Sequence, residues 1–190
     1  NNHFEFTIKD ALTKVNPLTG KHFLVNYYYK IRKIGLTEDE GIEYSILTDK
    51  IAKLFVMKDS DPEVEEKYNR LLEKRADIIK NASNKLEVFE DILTQLESDR
   101  QLENLIIFVS PQQREQVLEI LRHRGIISHQ LTQEEGTKLE SRFGGLSERQ
   151  HIINLFKKGF YKALVAIKCL DEGIDIPSAS RGILLSSSTN

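Results

Sequence analysis

Apolar residues in the second half of the chain fall in short unbroken runs, with helical spacing between them. Leu105-Ile106-Ile107-Phe108-Val109 is apolar throughout, as expected of a strand covered on both faces. Ser110-Pro111-Gln112-Gln113 then predicts a helix start, with Ser as cap, Pro at the first helical position and Gln113 completing the capping box. Val117, Leu118 and Leu121 lie on that helix's inner face, and Gly125 ends it. A short strand is predicted at Ile126-Ile127. Ser147-Glu148-Arg149-Gln150 is a second capping box, opening a helix that carries Ile152, Ile153 and Phe156. Ala163-Leu164-Val165-Ala166-Ile167 and Gly182-Ile183-Leu184-Leu185 are the remaining buried runs. Strands alternating with helices through short connections define an α/β class, a parallel sheet with helices on both faces.

The first half is patterned differently. Residues 23–34 alternate loosely and contain Tyr27-Tyr28-Tyr29, a strand-like composition. Thr37-Glu38-Asp39-Glu40 is a capping box followed by Ile42, Ile46, Ile51, Leu54 and Phe55 at helical spacing. Asp61-Pro62 restarts a helix with Val64, Tyr68, Leu71, Leu72 and Ile79 as its stripe. A third helix carries Leu86, Phe89, Leu93 and Leu96 on one face. These three predict a helical hairpin or small bundle. The organisation expected is an extension over residues 1–100, with an extended strand and helical hairpin, followed by an α/β domain over 101–190.

Composition narrows the function classes. Hydrophobic residues make up 39% and charged residues 29% of 190 residues, enough for one core beneath a polar surface. No apolar run is long enough for a bilayer, so no membrane partner is expected. The lone Cys169 excludes a disulfide framework and fits a reducing, cytoplasmic setting. Five scattered His residues and one Cys offer no zinc spacing, so no metal ligands are assigned. Net charge is −2, with 16 basic and 19 acidic residues in 1–100 against 11 and 10 in 101–190. Neither half is a basic module, so any nucleic-acid contact must be a local track. The Asn1-Asn2 start and Ser-Ser-Ser-Thr-Asn end read as boundaries of a piece of a longer chain.

Parallel sheets bind ligands beyond the carboxyl ends of their strands. Those ends carry Ser110 to Gln113, then Lys168-Cys169-Leu170-Asp171-Glu172-Gly173-Ile174-Asp175, then Ser186-Ser187-Ser188-Thr189. Hydroxyls, amides and carboxylates therefore gather on one sheet edge, although loops are polar in most α/β domains. In residues 163–177 a buried strand runs into a turn at Gly173, then re-enters an apolar stretch through Ile174-Asp175-Ile176-Pro177. A carboxylate set between Ile174, Ile176 and Pro177 calls for a partner.

That segment resembles motif V of superfamily 2 helicases, with its Gly-hydrophobic-Asp-hydrophobic-Pro tail. Residues 105–110 resemble motif IV. Residues 147–158, with Arg149 and Phe156-Lys157-Lys158-Gly159, resemble the helix preceding motif V. Phe6-Thr7-Ile8-Lys9-Asp10-Ala11-Leu12, the Tyr-rich stretch and Leu36-Thr37-Glu38-Asp39-Glu40 resemble the joint between lobes in restriction-type and repair-type members. A G-x-D turn is common by itself; the order and spacing of four such segments make the resemblance.

The resemblance implies the second RecA-like lobe of a DNA helicase or translocase, cut before the arginine-bearing motif VI. It implies that Asp175 bonds the ATP ribose, that Gly173 lets the backbone approach the nucleotide, and that Glu172 and Asp171 couple the nucleotide and strand sites. Asp171 is equally well read as a solvated turn carboxylate. Ser110, Gln112 and Gln113 become backbone-phosphate contacts, although capping also accounts for them. Many members carry Thr near the end of the motif V strand where this chain has Ala166-Ile167-Lys168-Cys169. Lys168 then supplies a charge-assisted contact or is simply solvated, and Cys169 reads as a small buried side chain. Arg149 and Arg142 either line the same track or are surface arginines.

No G-x-x-x-x-G-K-[ST] loop is present, so ATP and Mg2+ are expected to be held mainly by an N-terminal RecA-like lobe in the complete protein. Without that loop and the motif VI arginines, this chain alone is expected to be catalytically silent. The expected partners are DNA, or RNA as the other nucleic acid the pattern admits, and the first lobe. Two other classes compete: a non-catalytic α/β protein-interaction module, and a flavodoxin-like enzyme, which the missing Gly-rich loop after the first strand disfavours.

Overall fold

The computed structural model describes residues 7–24, 26–58, 61–132, 136, 138–167, 176 and 178–186. The chain forms two compact units, Asn1–Lys33 and Ile34–Asn190. In the first, α1 (Ile8–Thr13) opens on a Thr7/Asp10 capping box. Lys14 and the Thr7 backbone N–H both bond the Asp10 carboxylate and hold its pKa at about 2. A turn follows, closed by a Val15–His22 bridge, and the Leu24 N–H returns to Ala11 O.

The second unit begins with a helical hairpin. The Thr37/Glu40 capping box starts α2 (Glu38–Phe55), and Asp61 with Pro62 at the first position starts α3 (Pro62–Lys80). The two pack through half-exposed contacts, with Phe55 and Tyr68 ring centroids 6.2 Å apart and the Arg75 guanidinium 5.6 Å from the Tyr44 ring centre. Only Leu47 and Ile51 of α2 are buried; Ile42, Ile46 and Phe55 face solvent, and α3 buries none of its side chains.

The next helix, α4 (Asn84–Ser98), packs on a sheet. Strands β1 (Leu105–Phe108), β2 (Ser128–Leu131), β5 (Ala163–Ala166) and β6 (Arg181–Leu184) form it in the order β2-β5-β1-β6, every pair parallel. Leu105 lies in register with both Ala163 and Arg181, and Ser128 with Ala163. A small antiparallel pair, β3 (Leu139–Glu140) and β4 (Leu146–Ser147), precedes α6 (Glu148–Lys157).

Side chains alternate across each strand, which sorts the core into two layers. Leu105, Ile107, Ala163, Val165 and Ile183 meet Phe89 and Leu93 of α4 and Val117 and Leu121 of α5 (Arg114–His123). Ile106, Leu131, Leu164 and Ala166 meet Ile152 and Phe156 of α6. Helices thus cover both faces of a parallel sheet, as its unbroken apolar runs require. Arg124 fastens α4 to α5, bonding Glu97 Oε2 at 2.9 Å, Thr94 Oγ1 at 3.0 Å and Glu90 O at 3.2 Å.

Three sequence expectations are corrected. Described residues 26–37 form no strand, and Tyr27, Tyr28 and Tyr29 are exposed: no neighbouring strand pairs with them. The strand predicted at Ile126-Ile127 lies two residues later. Gly125 (φ +67) ends α5 with its N–H on Arg122 O, and the Ile126 N–H bonds Leu121 O, so Ile126 still belongs to the helix cap. Finally, α5 begins at Arg114, because residues 111–113 form a turn before it.

Glu40 ties the hairpin to α4. Its carboxylate accepts from the Thr37 N–H at 2.9 Å and from both the N–H and hydroxyl of Ser83 at 2.8 Å. The Ser83 backbone bond, then that of Thr37, lowers its pKa from the ordinary 4.5. A lowered folded pKa stabilises above the unfolded value and is lost as pH falls through the folded one. Glu40→Gln is therefore expected to melt earlier at neutral pH, with the gap to wild type closing below about pH 4.5. Thermal melts across that range check it.

Candidate functional site

The carboxyl ends of the four strands form one edge, where β1 gives way to Val109 and Ser110. Ser110 is 1% exposed. Its hydroxyl donates to Asn81 Oδ1 at 2.5 Å and accepts from the Gln113 N–H at 3.2 Å. Gln113 is 2% exposed; its amide reaches Ala82 O at 3.5 Å, while its Oε1 accepts no hydrogen bond from the described residues. Gln112, between them in the turn, is exposed. Ser110 and Gln113 therefore hold the turn against the α3–α4 junction, and Gln112 is the side chain the turn presents to solvent.

Asn81 and Lys85 were not found by sequence reasoning, since neither has a motif spacing. Asn81 is fixed by its own amide, which donates to Asp77 O at 3.0 Å and so aims Oδ1 at Ser110. The Lys85 ammonium bridges Lys80 O at 3.0 Å and Leu185 O at 2.8 Å, joining the end of α3 to the end of β6. Burial pulls its pKa below the usual lysine value. Ser110→Ala would leave Asn81 Oδ1 without its donor and the Gln113 N–H with only its 3.2 Å bond to Ser110 O, at a cost of about 1–3 kcal/mol. Urea unfolding reads that loss.

Along the same edge, beside β2, the Ser147 capping box sets the first turn of α6. It brings Arg149 to Thr132 O, one residue beyond β2, at 2.8 Å from Nη2. Arg142 is placed otherwise: it bonds Glu140, which raises its pKa, and lies over the Phe143 ring, 4.5 Å from its centre. The edge therefore carries Arg149 and Gln112 on either side of β5, with Arg142 held by β3.

Lys168, Cys169, Asp171, Glu172, Gly173, Asp175 and Pro177 lie outside the described residues. Their flanks are defined. The Ile167 N–H bonds Leu131 O at 3.0 Å, and Ile176 and Ala179 pack on the α6 layer. The connection after β1 instead runs into α5 on the opposite face. The chain after β1 thus packs on one face of the sheet, and Ile176 and Ala179, which precede β6, pack on the other; in such sheets ligands bind at the carboxyl edge where connections switch faces. Among the described residues no group of three His, Cys, Asp or Glu side chains is gathered for a metal ion. No helix among them is long and apolar enough to cross a membrane.

This RecA-like α/β lobe matches the model of the helicase conserved C-terminal domain over residues 84–190, more than half of the chain. The chain belongs to that family, and is the C-terminal domain of a helicase-type protein. The match begins at the first residue of α4, the helix whose Phe89 and Leu93 complete the sheet's core. Among solved structures, the chain is similar to the crystal structure of the Pyrococcus furiosus Hef helicase domain, at 19% identity and a TM-score of 0.42. The similarity covers 76% of this chain and 30% of that one. No curated protein sequence matches it.

Proposed function

We propose that this lobe is the second motor lobe of an ATP-dependent superfamily 2 DNA helicase or translocase, supplying half of a nucleotide cleft and half of a nucleic-acid track. The observation that carries this reading is the strand order β2-β5-β1-β6, which puts the carboxyl ends of β1 and β5 side by side, in a domain of the helicase C-terminal family. β5 lies between β1, which leads to the turn of the exposed Gln112, and β2, beyond whose end Arg149 bonds Thr132 O.

Asp175 accepts a hydrogen bond from the nucleotide ribose, and Gly173 allows close backbone approach. Glu172 transmits the state of the cleft to the strand site. Gln112, Arg149 and Lys168 bind backbone phosphates, giving contacts that position without reading sequence. Ser110 and Gln113 act through Gln112 by holding its turn. The P-loop of an N-terminal lobe holds most of the ATP and Mg2+, and cycles of lobe closure move this surface along DNA.

The nucleic-acid part is tested by fluorescence anisotropy with a labelled oligothymidylate. Replacing Gln112 and Arg149 by Ala should weaken binding, and loss of one cationic contact should flatten the slope of log affinity against log salt by about 0.7. Unchanged affinity and slope would remove this edge from the track and favour a protein-interaction module.

A further inference from the structure

The α2–α3 hairpin is rooted in one short segment. Among the described residues, no side chain of α2 or α3 belongs to either layer of the sheet's core, so that core does not attach the hairpin. Hydrogen bonds gathered at residues 81–85 attach it instead. On the hairpin's side, Glu40 accepts from the Ser83 N–H and hydroxyl. The Asn84 amide donates to Gly35 O at 2.9 Å, so the two ends of the hairpin are closed on each other. On the sheet's side, Asn81 accepts from the Ser110 hydroxyl, Ala82 O accepts from the Gln113 amide, and Lys85 donates to Leu185 O. Those three partners follow the carboxyl ends of β1 and β6, which are neighbours in the sheet. The 18 residues of α2 make the hairpin a lever about 27 Å long, hinged on polar contacts.

We propose that residues 81–85 are a coupling joint through which the hairpin sets the position of the 110–113 turn and of the end of β6, with Asn81 and Lys85 as its positioning residues. The inference rests on the reading of this edge as part of a nucleic-acid track, and it adds a regulatory arm to that track. Hydrogen bonds are directional, so rotation of the hairpin about its root either carries the turn along or breaks the Asn81–Ser110 bond. Breaking it leaves a part-buried acceptor unsatisfied, which is the costlier outcome. The turn therefore follows the hairpin, and with it Gln112, the side chain the turn shows to solvent. Coupling is reciprocal: a strand bound at the edge holds the hairpin in its turn.

The test combines anisotropy of a labelled oligothymidylate with amide hydrogen exchange of this chain. Asn81→Ala should weaken binding about threefold to tenfold. That loss should vanish in a Gln112→Ala background, because both substitutions act through one turn. Arg124→Ala cuts the α4–α5 fastening and leaves the joint whole, so it should lower the melting temperature without weakening binding. Lys85→Met should speed exchange of the Leu185 and Ser186 amides. Bound oligothymidylate should slow exchange over residues 77–85 as well as 109–113. With Gln112→Ala binding more weakly than wild type, the inference is overturned by any of four results: Asn81→Ala binds like wild type, its loss adds in full to that of Gln112→Ala, Lys85→Met leaves exchange at Leu185 unchanged, or the bound strand protects 109–113 alone. Unchanged affinity of Gln112→Ala would defeat the track reading instead. The joint is then upheld if Asn81→Ala speeds exchange of the Gln113 amide without ligand, and overturned if it does not.

Discussion

Replacing Phe89 by Ala is expected to destabilise the Ile34–Asn190 unit by about 3–5 kcal/mol, the range for deleting a fully buried ring. Phe89 has no exposed surface and sits in the layer that joins α4 to Leu105, Ile107 and Val165. The cavity would open between helix and sheet, where neither can close it without shifting strands held in register. Ile46→Ala is the control, because Ile46 is half-exposed on α2 and its loss should cost under about 1 kcal/mol. Urea midpoints at constant slope separate the two; equal shifts would contradict the packing of α4 on the sheet.

That packing also marks how far the sequence could be read. The stripe Leu86, Phe89, Leu93 and Leu96 identifies an amphipathic helix, but periodicity says which face is apolar and not what covers it. The stripe alone predicts a bundle with the preceding helices, whereas the helix packs on the sheet. Capping boxes at Thr37 and Ser147 were legible because their chemistry is local: a hydroxyl and an amide or carboxylate three residues apart. The buried runs at Leu105 and Ala163 were legible for a similar reason, since continuous apolarity has few uses in a soluble fold. The tyrosine run misled because strand propensity needs a neighbouring strand to pair with.

Asp175→Ala in the complete two-lobed protein is the second large expectation. Asp175 is flanked in sequence by Ile174 and Ile176, and the proposed partner of its carboxylate is a ribose hydroxyl. A hydrogen bond to a charged acceptor contributes about 1.5–3 kcal/mol, so nucleic-acid-stimulated ATP turnover at low ATP should fall about 10- to 100-fold. Asp175→Asn keeps an acceptor and should lose less. Thermal stability separates a functional from a structural carboxylate: the proposal predicts a small change in melting temperature. Unchanged turnover would refute the assigned role.

Site residues were legible only where local spacing carried the chemistry. A serine after a buried strand is compatible with both a phosphate contact and a cap, and sequence leaves the two equivalent. Burial separates them: Ser110 and Gln113 are turned inward to Asn81 and Ala82, and Gln112 is left at the surface. Asn81 and Lys85 are not legible in the sequence because their partners, Ser110 and Leu185, lie 29 and 100 residues away. No pattern of neighbouring residues encodes such a contact.

The central claim is that this lobe provides half of a nucleic-acid-driven ATPase. The most direct measurement is steady-state ATP hydrolysis, with and without single-stranded DNA, by this chain alone and by the complete protein bearing a P-loop lobe. The account predicts background turnover for the chain alone and DNA-stimulated turnover for the complete protein. Hydrolysis by the isolated chain at the complete protein's rate, or a complete protein indifferent to nucleic acid, would contradict it.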